Sequence, residues 1–445
     1  MRIVVPNWIV GTVWVLLSCG AAVNAKVGLA AGLTYDDARG LLRTVSDTRK
    51  AGEADVSRRN YDSQAADTLG FPRVFLNATQ VFGVKTGTIG PINFSENFTG
   101  PRASINSTWS IYTGGRISAA QRALAAGVAE AQAELTRTEE QLDLQLAQLY
   151  FGLDLTANVE RTRNSIVEAA DRQLERAIRF EQKGLIPRAE RLNAQVSRDE
   201  AAREQVRAQR DREIAQARLQ RFLHSDAPVE TSTPLFVMTA PIKPLPDWQA
   251  LAQRENPILA AFKAKREQAE QGIVVAQSAW KPEVFAFGSY SFIQHYQTLI
   301  EPNWVAGIGV NFTLFSPEDR NSKIGAARQA VRQVEWLEAE ARTDIATAVE
   351  AAYLKVAEAR EQFALLDSAL AAAKENLRLR ERGFDVGQAT ILDVNDARSA
   401  YARAETARAV SAFDFVVALA QLLEVSGQAH ALPEYVKQAD VRLSS

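Results

Sequence analysis

Asp393 and Asp396 stand three residues apart in Gly387-Gln-Ala-Thr-Ile-Leu-Asp-Val-Asn-Asp-Ala397, a spacing that places both carboxylates on one face of a helix. Carboxylates so placed can do acid–base work, hold a cation, or repel anions from a narrow passage. The first use needs companions that the chain does not supply. No Ser/His/Asp set, metal-ligand cluster or glycine-rich phosphate loop accompanies them, and His224, His295 and His430 are scattered without ligand spacing. An enzyme is the least supported class, and no cofactor is expected. Thr390-x-x-Asp393 also fits a capping pair, with an acidic residue in a first helical turn. Asp396 lies a turn further in, where capping no longer accounts for it.

The segment that presents these residues occurs twice. Gly184-Leu-Ile-Pro-Arg-Ala-Glu-Arg-Leu-Asn-Ala194 repeats its layout, with Glu190 at the place of Asp393. In each copy a long proline-free, alanine-rich stretch meets a glycine, which closes a helix by taking positive φ; Pro187 or Thr390 then opens the next helix. Each copy is therefore a helical hairpin with a tight tip, about 184–190 and about 384–397. Held at one spacing, Tyr112 aligns with Phe315, Leu142 with Ile345 and Tyr150 with Tyr353, so the chain is an internal duplication.

The helices leading to the tips are long. Arg116 to Lys183 and Asp319 to Arg382 contain no proline, and at 1.5 Å per residue each reaches about 100 Å. Ile345, Val349, Ala352, Val356, Ala359, Phe363, Leu366, Leu370, Ala373 and Leu377 alternate in steps of four and three, a heptad seam that predicts coiled-coil packing. The arginines between 198 and 221 alternate with acidic residues and read as a solvated face. A net charge of -2 gives no sign of nucleic acid.

Two further stretches alternate with a period of two. Trp304, Ala306, Ile308, Val310, Phe312 and Leu314 share one face of a strand, as do Ile105, Trp109 and Ile111; the intervening residues are small or polar. These runs, with partners at Val74 to Phe82 and Val284 to Ile293, predict β-hairpins at about 71–112 and 282–315. Turn-rich loops are expected at Gly83 to Gly100 and Gln294 to Asn303. The runs have the length of tilted transmembrane strands, and no segment past the leader reads as apolar enough for a transmembrane helix. A small soluble sheet packed on the helices is the alternative. Four strands per chain are too few to close a barrel alone.

The first residues read as a secretory leader: Arg2, an apolar run from Trp8 to Leu17, and Val23-Asn-Ala25 as the cleavage site, giving a mature start at Lys26. Leu16-Leu-Ser-Cys19 leaves lipidation of Cys19, the chain's one cysteine, as an alternative. The expected organisation is a leader (1–25), a first repeat (26–226), a Pro-rich linker along the outside (227–246), a second repeat (247–427) and a polar C-terminal tail (428–445).

With this layout the chain resembles the TolC-like outer membrane factors, the exit ducts of Gram-negative efflux pumps and type I secretion systems. The most specific matches are Val386-Gly-Gln-Ala-Thr-Ile-Leu-Asp-Val-Asn-Asp-Ala397, similar to the family's second hairpin tip, and Tyr112-Thr-Gly-Gly-Arg116, similar to its strand-to-helix corner. The resemblance implies an α+β membrane protein: a homotrimer whose four strands per chain close a 12-stranded transmembrane β-barrel in outer membrane lipid, continued by a periplasmic α-helical coiled-coil barrel. It further implies a periplasmic adaptor and an inner-membrane pump of RND, ABC or MFS type as partners. Asp393 and Asp396 would ring the closed end, and polar links, involving Glu190, would tie one tip to the other. Phe384 stands where a linking tyrosine can occur and Ala389 where some members carry arginine. Ser316-Pro-Glu-Asp-Arg320 replaces the glycine pair of the corner. Gly184, Pro187, Gly387 and Thr390 would shape the tips that meet the adaptor. A secreted coiled-coil scaffold without a channel is the competing reading; it accounts for the helices but not for the apolar alternation.

Overall fold

A computed structural model describes residues 32–294 and 302–443. The leader with Cys19, the expected start at Lys26, His295 and most of the turn expected at Gln294 to Asn303 lie outside the described residues.

Two short helices open each half. Thr34 caps α1 (Tyr35–Val45) by accepting from Asp37 N, and Ser46 caps α2 (Asp47–Asp67) by accepting from Arg49 N. A hairpin follows, β1 (Arg73–Ile89) and β2 (Ile92–Tyr112), and then α3 (Arg116–Gln182), whose 67 residues extend about 100 Å. The chain returns as α4 (Arg188–Phe222) and crosses through a two-residue strand, β3 (Phe236–Val237). The second half runs α5 (Leu245–Glu255), α6 (Pro257–Ser278), β4 (Glu283–Gln294), β5 (Trp304–Asn311), α7 (Arg320–Asp385) and α8 (Ile391–Val425). A short α9 (Leu432–Gln438) and β6 (Val441–Arg442) end it.

The four long strands form one antiparallel sheet in the order β1-β2-β4-β5. Residues paired across an antiparallel ladder share a face, so register assigns the faces. Leu76 pairs with Ile105, Ile105 with Tyr290 and Tyr290 with Trp304; Ala286 joins Trp109 to Ile308. Val74, Leu76, Phe82, Ile105, Trp109, Tyr290, Trp304, Ile308 and Val310 therefore lie on one face, all exposed, and that face carries no ionic residue along the paired strands. The opposite face holds Asn77, Asn106, Ser104 and Ser289. There the rings of Phe285 and Phe287 cover Gly309 and Gly307; a Cβ at Gly309 would fall 2.5 Å from the Phe285 ring.

The hairpin limits differ from the sequence reading. Gly83 to Gly100 is strand, not loop: pairing continues to Ile89 against Ile92, and only Gly90 and Pro91 turn, with Gly90 at φ +60. Ladder hydrogen bonds need no apolar side chains, so a glycine-rich stretch with a committed partner remains extended. β5 stops at Asn311 rather than near 315, because the Arg320 guanidinium takes the Thr313 carbonyl at 2.5 Å and stacks over Trp280, 4.8 Å from the ring centre. At the first corner Gly114 (φ +66) and Gly115 (φ +94) turn the chain into α3. A Cβ on Gly114 would lie 2.9 Å from that of Lys281, so only glycine fits there.

In the tip half α4 packs on α3, α3 on α8 and α8 on α7, so α4 and α7 form the two edges of a helical layer. The α7 seam is buried as spaced from Ile345 through Val349, Ala352, Val356 and Ala359 to Phe363, while Leu366, Leu370, Ala373 and Leu377, nearer the tip, are only half-buried. Nearer the sheet the main core gathers Tyr35, Tyr150, Phe151, Trp248, Phe236 and Phe415. The linker and the tail belong to this core, contrary to the sequence reading. Val229, Leu235, Phe236, Val237, Leu432 and Leu443 are buried, and β3 pairs with β6. Tyr150 Oη accepts from the Ser232 and Thr233 amides and Asp154 accepts from Leu235 N, which satisfies a backbone that prolines keep out of helix. The expectation about transmembrane helices also needs correction: α8 is long and apolar enough to cross a membrane, but Phe415, Val416, Leu419, Leu422 and Leu423 are buried in the core instead.

Glu140 fastens the tail, accepting from Ala429 N at 2.6 Å while only 7% exposed. Burial first, then Asp143 and Glu424, push its carboxyl up to about 7, against the pull of the Ala429 amide and Arg39. A carboxyl with a raised folded-state pKa contributes stability that is fully present below its unfolded value and lost as pH rises through about 7. The full effect is on the order of 3 kcal/mol. Glu140→Gln should therefore raise the melting temperature at pH 8.5 and flatten its fall between pH 5 and 8.5, as followed by circular dichroism. An unchanged pH profile would remove Glu140 from the account.

Candidate functional site: the paired hairpin tips

Both tips are built from the same backbone device. Gly184 (φ +70) donates to Glu181 O at 2.9 Å and Leu185 to Phe180 O at 2.9 Å; Gly387 (φ +75) donates to Phe384 O at 3.1 Å and Gln388 to Gly383 O at 2.7 Å. The glycine closes the helix and supplies its last carbonyls with partners. Pro187 then stands at the N-cap of α4 and Thr390 at that of α8.

Thr390 and Asp393 form a reciprocal cap. Asp393 N donates to Thr390 Oγ1 at 3.2 Å, and the Thr390 amide and hydroxyl donate to Asp393 Oδ2 at 2.9 and 2.8 Å. Arg380 lies 3.9 Å from the same carboxylate. The Thr390 amide first, then its hydroxyl, and more weakly Arg380, hold the Asp393 carboxyl below the usual range. Asp396, a turn further on, is exposed and makes no hydrogen bond or ion pair among the described residues. The two aspartates thus differ: one is engaged in holding the turn, the other is exposed and unpaired among the described residues.

Glu190 accepts from Ile391 N at 3.3 Å, so the first tip supplies a partner to an otherwise free amide at the start of α8. Behind this link Ala177, Ala194, Phe384, Ile391 and Val394 form a small core, with Phe180 and Phe384 stacked at 5.9 Å. Phe384, named from the sequence among the gate residues, is buried here and acts in packing; without a hydroxyl it can fill the apolar contact between the tips.

Arg398 was not singled out from sequence. Only 4% exposed, it is paired with Glu381 at 3.2 Å. Its Nε and Nη1, and the Nε2 of buried Gln173, lack partners among the described residues, while Gln173 Oε1 accepts from Arg176 at 2.6 Å and Arg176 lies 3.6 Å from Asp385. Burial outweighs Glu381 and draws the guanidinium pKa down. A half-satisfied buried charge is costly, so this cluster weakens the packing where α3 of one hairpin meets α7 and α8 of the other. The signal was present: Arg398 occupies a core spacing after Ile391 and Val394, where an apolar residue is expected.

Among the described residues no cluster of acidic, histidine or cysteine side chains could hold a metal ion. The tips therefore offer acidic groups near a partly unsatisfied polar contact between two hairpins, on helices of about 100 Å below an exposed uncharged sheet face. The profile of the outer membrane efflux protein family matches residues 46–223 and 248–428, one segment over each half. The chain belongs to the outer membrane efflux protein family. It is a Gram-negative outer-membrane protein of TolC-like type that extends into the periplasm. Over 189 residues it is 28% identical to the outer membrane efflux protein BepC of Brucella suis biovar 1 (strain 1330), a match spanning 42% of this chain and 41% of that relative. In fold it is similar to the outer membrane protein VceC of Vibrio cholerae, with a TM-score of 0.75 at 14% identity over 88% of this chain and 96% of that one. The open state of the MtrE outer membrane channel of Neisseria gonorrhoeae gives 0.73 at 17% identity, covering 89% of each chain.

Proposed function

We propose that this outer membrane efflux protein is the passive exit duct of a tripartite efflux pump or type I secretion system. Three copies close a 12-stranded barrel in the outer membrane and a helical tube across the periplasm. The observation that carries this reading is the sheet: β1 and β5 are open edges, and one face is exposed, free of ionic side chains and, over its helix-proximal half, mainly apolar. Open edges do not persist in lipid, where every backbone group must be satisfied, so the sheet must close with further copies. A periplasmic scaffold would leave that uncharged face unexplained. The internal duplication supports the same plan, since each half contributes one hairpin to the barrel and one to the tube.

The tip end is the periplasmic gate. Asp396, assisted by Asp393, forms the acidic ring. The Glu190 link to Ile391 and the Arg176–Asp385 pair hold the two hairpins of one chain together until an adaptor engages the tips at Gly184, Pro187, Gly387 and Thr390. An inner-membrane pump of RND, ABC or MFS type supplies the energy. The test is reconstitution: detergent-extracted outer membrane material should be trimeric and should give discrete conductance steps in planar bilayers. Soluble monomer without conductance would overturn the proposal.

A further inference from the structure

A groove runs along the helical layer between α7 and α8, above the tips. Asp396, Arg403, Val410 and Asp414 follow one another on α8 by seven, seven and four residues, close to whole turns, so they share one exposed face. Arg403, Val410 and Asp414, with Leu366 of α7 and Arg163 of α3, line a space of about 400 Å³. Small-molecule sites span about 300 to 1,000 Å³. The linker crosses the other side of the layer: Arg360 donates to Ala240 O at 3.4 Å, and Gln362, which lines the groove, lies two residues on and hence opposite on α7. The arginines of the groove stand nearer the tip and its acid nearer the sheet. Counted from the tip core, Arg403 is nine residues above Val394 and Arg163 fourteen above Ala177, about 13 and 21 Å up the layer, whereas Asp414 is twenty above Val394, about 30 Å up. Leu366, Ala407 and Val410 supply the apolar surface. Neither arginine makes a side-chain hydrogen bond or ion pair among the described residues.

We propose that this groove is a binding site inside the passage for amphipathic organic anions, whose carboxylate is held by Arg163 and Arg403 and whose apolar body lies on Leu366, Ala407 and Val410. The site rests on the gate proposed above, which turns the Asp396 face towards the passage, and it names a class of molecule that the passage holds. Guanidinium groups with no acid of their own chain to pair with are suited to an incoming carboxylate, which they bind by charge-assisted N–H···O bonds. Asp414 and Glu358 set the orientation. Burial first, then Glu358, push the Asp414 carboxyl up, so two acids face each other at the sheet end and a bound anion avoids them. Its charged group therefore points to the tip and its body to the sheet. Seven residues, about 10 Å, separate Arg403 from Asp396. An anion seated above the acidic ring is repelled by that ring on any return towards the tip, so site and gate together favour outward movement.

Sodium 2-naphthoate, its neutral amide 2-naphthamide and sodium acetate are the probes. Equilibrium dialysis against the membrane-extracted protein should give saturable binding of 2-naphthoate, one molecule per chain, and binding of the amide and of acetate weaker by at least about tenfold, since one lacks the charge and the other the apolar body. Arg163→Gln with Arg403→Gln should weaken 2-naphthoate by a similar factor, and Arg163→Lys with Arg403→Lys should keep most of the affinity. Native mass spectrometry shows that each variant is assembled. In planar bilayers 2-naphthoate added at the barrel end should lower the single-channel current of the wild type and not that of the glutamine variant. Equal binding of acid and amide by the wild type, or equal binding of the acid by wild type and glutamine variant, would overturn the site; conducting trimers would then leave the duct standing without it. Arginine-dependent binding with no effect on the current would put the groove outside the passage and overturn its assignment. Protein that neither binds nor conducts would overturn both.

Discussion

Asp396→Asn is expected to raise by at least about tenfold the concentration of a trivalent cation, such as hexaamminecobalt, that blocks current when added at the tip end. The carboxylate is exposed, has no partner among the described residues and lies a turn inside α8, so its charge is available to the passage. In a three-fold assembly its copies converge on one axis, and at a narrow, partly desolvated mouth a trivalent ion a few Å away is held by several such charges at once. Asp393→Asn should have a smaller effect on block. That carboxylate is already engaged by the Thr390 amide and hydroxyl, with Arg380 nearby, and part of its field is spent on the cap. Its loss should mainly loosen the tip, seen as longer openings. Single-channel recording of the two variants separates these outcomes. Block of Asp396→Asn at the wild-type concentration would place the acidic gate elsewhere, with Glu190 the next residue to test.

The tips were legible because backbone rules act locally. A glycine after a long helix, a cap residue three positions on and an acid three beyond that specify the turn almost independently of what surrounds it, and the structure has positive φ at Gly184 and Gly387 and the reciprocal Thr390–Asp393 cap. The α7 seam was legible for the related reason that one period governs it throughout. Where tertiary partners decide, the reading failed. Leu432 and Leu443 sit in a stretch with no helical or strand period long enough to read, and they are buried because β3 and the core supply partners from 200 residues away. The strands β1 and β2 run through glycines and a proline because each commits the other, which no single segment reveals. Arg398 breaks the apolar spacing of its helix. Conflicts of that kind between local pattern and burial concentrate at functional or strained sites.

Ile308→Arg should abolish assembly in the membrane, whereas Asn77→Arg should be tolerated. Both residues are exposed and both lie on paired strands, but register places them on opposite faces. Ile308 is joined through Ala286 to Trp109 on the uncharged face, while Asn77 pairs with Ser104 on the polar one. A lipid-facing arginine costs about 2 to 4 kcal/mol near the midplane of a barrel and little where the face meets water. Three copies multiply the penalty, since each chain of the closed ring would carry the charge. Gly309, the polar-face neighbour of Ile308, is unsuitable as the control because any side chain there meets the Phe285 ring, and failure would report a clash rather than a charge. The measurement is the heat-resistant trimer band in outer membrane fractions, with total protein counted in the same cells. Equal trimer yield for the two variants would mean that the uncharged face does not meet lipid, and the barrel would then have to be abandoned while the helical tip, which depends on none of these strands, would stand.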